Sequence, residues 1–275
     1  SKVYEGWGLI ILKTGLYEQI IDQAMAQALD KVKNEYITKT GKIDKEEASL
    51  LLARYTSEII KMGLDHLKDS DELKSLDRQI NLINRLISSI IQETGDDDFV
   101  KMSVDKRAEQ LLSVVKNENK LPLKKDDEII RPSTSVAYSS LFTGAKNEPN
   151  LSSEFNKEIA SCDRVDMLVS FIKWSGLRLI INELEKFTMK RDGKLRVITT
   201  SYMGATDLKA VEELSKLPNT EIKISYDTKH TRLHAKTYIF ARDTGFTTAY
   251  VGSSNLSNAA MSSGLEWNIK VARKD

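Results

Sequence analysis

His234 and Lys236 stand two residues apart in an apolar run, residues 233–240, that reads as a strand. On a strand that spacing sends both side chains to the same face of the sheet, together with Tyr238 and Phe240. A second strand-like run, residues 247–251, ends in Gly252-Ser253-Ser254-Asn255. That loop offers hydroxyls, a side-chain amide and backbone N–H groups. An imidazole is a nucleophile, a lysine is a fixed positive charge, and neutral donors can hold oxygen atoms. Brought to one point, they suit phosphoryl transfer. His234 would attack phosphorus and carry the phosphoryl group. Lys236 and Asn255 would hold the non-bridging oxygens, and Ser253 and Ser254 would add hydrogen bonds. His230 could reach the substrate from the strand entrance. Lys173 and Trp174, which follow another apolar strand, could line the mouth of the site and stack on a nucleotide.

These residues resemble the signature of the phospholipase D superfamily, His-x-Lys-x4-Asp-x6-Gly-Ser-x-Asn. His234, Lys236, Gly252, Ser253 and Asn255 match it. Ala241 stands where the signature has Asp, and the spacing to Gly252 is longer. A hairpin through residues 242–245 would absorb the extra length, with Asp243 as a stand-in acid. More closely, residues 135–271 are similar to the phospholipase-D-like nuclease domain found near the N-terminus of bacterial DEAD/DEAH-type helicases. Residues 168–176, 200–207 and 264–268 carry that similarity.

The resemblance implies a metal-independent nuclease that needs no cofactor and works through a phosphohistidine. It implies nucleic acid, with DNA as the expected form, as the substrate. The alternative is a module that grips DNA in the same phosphate pocket without cutting it. Glu266 occupies the place where the family often sets an acid to orient the histidine. Family members with two motifs per chain use one histidine from each, and this chain has a single His-x-Lys. A homodimer joined through the active-site face is therefore expected. The resemblance further implies an ATPase beyond residue 275, because no Gly-x-x-x-x-Gly-Lys-Ser/Thr run occurs here.

The elements that must position these groups divide the chain. With 40% hydrophobic and 29% charged residues, the 275-residue chain can build a core. Residues 1–117 read as a helical domain of four amphipathic helices. Leu16 to Val32 gives the first, and Asp44 with Glu47 reads as a capping box opening the second. Leu73 to Ile91 gives the third, and Val104 to Val115 the fourth. Residues 118–150 hold three of the four prolines and read as a linker. Residues 151–275 alternate strand and helix, which predicts a layered α/β domain with a mixed sheet.

The net charge of +1 is uneven. Residues 1–150 hold 22 Lys+Arg against 25 Asp+Glu, or −3, and residues 151–275 hold 19 against 15, or +4. The basic half suits a polyanion. Cys162 is the single cysteine, which excludes a disulfide framework and a cysteine zinc site, and fits a cytoplasmic protein. No apolar run approaches the ~20 residues of a membrane span, so no membrane partner is expected.

Overall fold

The computed structural model describes residues 12–68, 72–114, 130–145, 147–227, 233–262 and 264–274. Two compact units divide it, Ser1–Leu112 and Ser113–Asp275.

The first unit is helical. Helix α1 (Gln23–Val32) starts at Asp22, whose carboxylate accepts from Met25 N at 2.8 Å. Helix α2 (Ala48–His66) follows a turn in which Asp44 accepts from Glu46 N, so Asp44 shapes the approach to the helix and no capping box forms. Helix α3 (Glu72–Thr94) joins the end of α2 through Gln79, which donates to the Leu64 carbonyl at 2.9 Å. The fourth expected helix, residues 104–115, is absent among the described residues. A short 3-10 turn, Asp97–Met102, follows α3, and residues 103–114 run irregularly. Side chains capture the backbone there: Asn84 accepts from Val104 N at 2.8 Å and Asp105 from Arg107 N at 2.9 Å. Such local bonds compete with helix formation, and Ala108 sits at a φ of 55°.

The second unit is a two-layer α/β domain around one seven-stranded mixed sheet. Its strands are β1 (Ser140–Phe142), β2 (Arg164–Val169), β3 (Lys194–Thr200), β4 (Thr220–Ser225), β5 (Lys236–Ala241), β6 (Phe246–Gly252) and β7 (Asn268–Lys274), in the spatial order β1-β7-β6-β5-β2-β3-β4. β2, β3 and β4 are parallel, linked by right-sized helical crossovers, and the remaining pairs are antiparallel. The helices are α4 (Leu151–Ser161), α5 (Trp174–Leu177), α6 (Ile181–Lys190), α7 (Leu208–Ser215) and α8 (Asn258–Ser262). Phe155 and Ile159 of α4, Leu184 and Phe187 of α6 and Leu214 of α7 pack with the inward residues of the strands, Val165, Met167, Val197, Tyr238, Phe240 and Tyr250, into one core. Phe155 touches Tyr238, Phe240 and Tyr250 with ring centroids 4.7–5.2 Å apart. The opposite sheet face carries Leu141, Ile269, Val251 and Ile198, all exposed among the described residues.

The expected linker is corrected over its described part. From residue 130 the chain belongs to the second unit. Residues 140–142 form the edge strand β1, and Ser133 N and Thr134 N both donate to the buried Glu154 carboxylate at 2.9 Å. The prolines punctuate this stretch without detaching it.

A charged cluster holds the core together behind the sheet. Glu158 of α4 is fully buried and meets Arg242 at 2.5 Å, Lys270 at 2.8 Å, and the hydroxyls of Thr248 and Tyr250 at 2.8 and 2.9 Å. Burial pushes its carboxyl up, and the charges of Arg242 and Lys270 more than offset this, leaving it below the ordinary value.

Candidate phosphoryl-transfer site

β5 runs antiparallel to β2, with Val169 opposite Lys236, and antiparallel to β6, with Thr237 opposite Val251. The register therefore gathers the end of β2, the start of β5, the end of β6 and the start of β7 at one edge, where the parallel strands finish. Ligands of open α/β sheets favour that edge. β5 starts three residues later than the sequence run suggested. β2 has no ladder partner for residues 233–235, so His234 leaves the sheet just ahead of the strand.

A second contact fixes the Gly-Ser-Ser-Asn loop. Ile172 and Leu256 form a parallel bridge, and Lys173 N donates to the Leu256 carbonyl at 2.8 Å. Asn255 Oδ1 accepts from Phe171 N at 3.3 Å, which leaves its NH2 group for another acceptor. Asn255 does not cap α8; Ser257 accepts from Ala260 N at 3.4 Å instead. Gly252 is required where it stands, because a Cβ there would collide with the Trp267 carbonyl oxygen.

An open cleft of about 580 Å³ results, lined by His234, Lys236, Gly252 and Ser253. Asn255, Glu266 and Trp267 complete its wall. Lys236 is 8% exposed and its three N–H donors are all engaged: His234 Nε2 at 3.1 Å, the His234 carbonyl at 3.0 Å and Ser170 Oγ at 3.3 Å. An ammonium only donates, so the contact with His234 requires an unprotonated Nε2 and places the ring proton on Nδ1. That tautomer carries the lone pair on Nε2, where the Lys236 N–H holds it until a substrate oxygen takes the donor. Burial holds the Lys236 ammonium below its ordinary value, and the nearby Glu266 carboxylate opposes the shift.

Glu266 accepts from Ser253 Oγ, and Ser253 Oγ also accepts from Trp267 N at 3.2 Å. The structure thus places Glu266 beside Lys236 and on Ser253, while the His234 ring meets Lys236. Ser254 departs from expectation. It is fully buried, its hydroxyl accepts from Asn268 at 2.8 Å and its carbonyl from the Tyr238 hydroxyl at 3.0 Å, so it braces the loop from below. Lys173 and Trp174 also lie off the cleft wall. Lys173 pairs with Asp207 at 3.1 Å, Asp207 accepts from Trp174 N at 2.9 Å, and Lys209 sits 4.4 Å from the centroid of the Trp174 ring. His230 lies outside the described residues.

Asp243 is no substitute for the missing acid. It is exposed in the β5–β6 turn, the whole length of β5 away from His234. At that end Arg242 turns inward to Glu158, so α4 supplies the buried carboxylate. Cys162 is fully buried and burial pushes its thiol up to about 12, which removes it as a nucleophile. Two residues of the site escaped the sequence reading. Ser170 orients Lys236 from 66 positions away, with no local pattern to mark it. Trp267 was visible only as the neighbour of Glu266.

Residues 155–275 match the family model described as "Cardiolipin synthase, PLD-like domain". The matched part of the chain holds six of the seven strands, β2 to β7, and every residue of the cleft wall. Among solved structures, NucT from Helicobacter pylori is similar at 21% identity, covering 50% of this chain and 86% of its own, with a TM-score of 0.37. Nuc from Salmonella typhimurium, a phospholipase D family member, is similar at 19% identity over 50% of this chain and 84% of its own, with a TM-score of 0.35. Yeast tyrosyl-DNA phosphodiesterase is similar at 12% identity over 50% of this chain and 32% of its own, also at 0.35. No curated protein matches the sequence. No described helix is long and apolar enough to cross a membrane.

Proposed function

We propose that this chain is a phosphodiesterase that cleaves nucleic acid without a metal, through a phosphohistidine at His234. The observation that carries the reading is the 3.1 Å contact between His234 Nε2 and the buried Lys236 ammonium inside an open cleft. Nε2 attacks phosphorus, a P–N bond forms, and the P–O bond to the leaving nucleoside breaks. As substrate enters, the Lys236 N–H turns from Nε2 to a non-bridging oxygen, which frees the lone pair, and with the Asn255 amide and the Ser253 hydroxyl, turned from Glu266, takes the charge that grows there. Water then breaks the P–N bond and restores the imidazole. The net charge of +4 over residues 151–275 favours a polyanionic substrate.

The leaving oxygen needs a proton, and the chain has one His-x-Lys. A second copy supplies the other imidazole across a two-fold axis near the Gly252 loops. The site is one part of a longer, helicase-like protein of the cytoplasm. Glu266 acts on Lys236 and Ser253, and through Lys236 orients the nucleophile.

One assay tests this: cleavage of labelled DNA and RNA by the wild type and by His234→Ala, each with and without EDTA. Wild-type cleavage survives the chelator, and His234→Ala loses on the order of 10³–10⁶ in rate. Cleavage that appears only with added magnesium refutes the mechanism. Binding without any cleavage, unchanged in His234→Ala, establishes the non-catalytic DNA-gripping module.

A further inference from the structure

Trp267 is 64% exposed on the cleft wall, whereas the aromatic side chains Tyr238 and Phe240 of β5 and Tyr250 of β6 are fully buried in the core. Its backbone is pinned on both sides. Trp267 N donates to Ser253 Oγ at 3.2 Å, and its carbonyl accepts from Ser253 N at 3.0 Å. The next residue, Asn268, opens β7, is buried and donates to Ser254 Oγ. The indole is thus left in solvent on a fixed Cα, with only two side-chain torsions to order, against the same loop whose residues face His234. A rigid, exposed aromatic plane next to a phosphate-binding cleft is the arrangement that stacks nucleobases.

We propose that Trp267 stacks on an unpaired base next to the scissile phosphate, so that the site takes single-stranded or locally opened nucleic acid. This rests on the phosphodiesterase reading of the cleft. Inside a duplex both faces of a base are covered by its neighbours, so an indole at the rim can reach a base face only where stacking is broken. The volume of about 580 Å³ lies within the ~300–1,000 Å³ of clefts that enclose small ligands, room for a phosphate and its base. Lys236 and Asn255 recognise the phosphate of any sequence, and a stacked base adds affinity without reading its edge. The selectivity expected is for strandedness and not for sequence.

The test uses the full chain with Trp267→Ala and Trp267→Phe. Three labelled oligonucleotides are compared by anisotropy and by cleavage: a single strand, the same backbone with abasic positions throughout, and a blunt duplex. Trp267→Ala weakens binding and cleavage of the base-bearing single strand ~5- to 150-fold, the value of one base–aromatic stack. Trp267→Phe stays within a few-fold of the wild type, and the abasic strand is bound equally by all three proteins. An equal loss on the abasic strand overturns the proposal, since the indole would then act by positioning the loop. Equal losses on single strand and duplex also overturn it. So does a drop in molecular mass by light scattering in Trp267→Ala without a base-dependent loss, which assigns the indole to a protein interface. If the wild type cuts none of the three, the phosphodiesterase reading falls, while the anisotropy ratios still decide the stacking.

Discussion

Glu158→Gln removes one charge from a closed set. The buried quartet Glu154, Glu158, Arg242 and Lys270 is neutral, two carboxylates against two cations. With Gln at 158 the core holds one uncompensated positive charge. Lys270 keeps Glu154 at 3.8 Å, and Arg242 keeps bonds to the carbonyls of Ser161 and Phe246 at 3.0 and 3.1 Å. The hydrogen bonds survive in part, but the charge does not. Breaking a buried pair from one side costs about 3–5 kcal/mol. A unit the size of Ser113–Asp275 shifts by ~2–4 °C per kcal/mol, so the melting temperature of this unit drops by ~6–20 °C. Circular dichroism melts measure it, and tryptophan fluorescence in a Trp7→Phe background, which leaves Trp174 and Trp267 as the emitters, separates this unit from the helical one, whose transition stays put. The double variant Glu158→Gln/Lys270→Met restores neutrality and is less destabilised than the sum of the singles by ~1–3 kcal/mol. The Glu158 carboxyl is held below its ordinary value, so its stabilisation is complete above the unfolded value of ~4.3 and is lost as pH falls through the folded one. Wild type and Glu158→Gln therefore converge in acid. A shift under ~1 kcal/mol at neutral pH, or strict additivity in the double variant, refutes the account of the cluster as an ion-paired core.

Lys236→Met removes an ammonium whose burial disfavours its charge, so it leaves the domain as stable as the wild type or more stable, while cleavage is lost; urea unfolding beside the nuclease assay checks both. Because the folded Lys236 loses its proton more readily than the unfolded one, wild-type stability gains on Lys236→Met as pH rises between the two values, and cleavage falls there. A chain beginning at residue 155 lacks β1, Thr134 and Glu154, and gives no cooperative melt, whereas one beginning at residue 130 does.

What could be read from the sequence followed the range over which each pattern acts. His234 with Lys236, and Gly252 with Asn255, are neighbours whose geometry follows from strand period and loop chemistry, so the cleft was legible. The alternation of strand and helix over residues 151–275 was too, although β5 starts three residues later than the run 233–240 because its ladder partner on β2 runs out. Ser170 and the Glu158–Arg242 pair were not, because register across strands and helices sets them. Ser254 was misread because a loop does not keep strand alternation: it turns inward while Ser253 and Asn255 line the cleft. The helix expected over residues 104–115 had apolar spacing, but Asn84 and Asp105 claimed its backbone.

The place of β1 also governs when the domain can finish folding. β1 is first along the chain and lies at the outer edge of the sheet, where its one partner is β7, the last strand. Lys270 reaches Thr134 across 136 positions. A ribosome making this protein from its N-terminus must deliver nearly the whole unit before that edge can close. Until then the buried cation of β7 is missing, and Glu154 and Glu158 stand without Lys270. Nascent chains stalled short of residue 270 should therefore remain open to protease, and resistance should arrive in one step with the last strand rather than build up helix by helix.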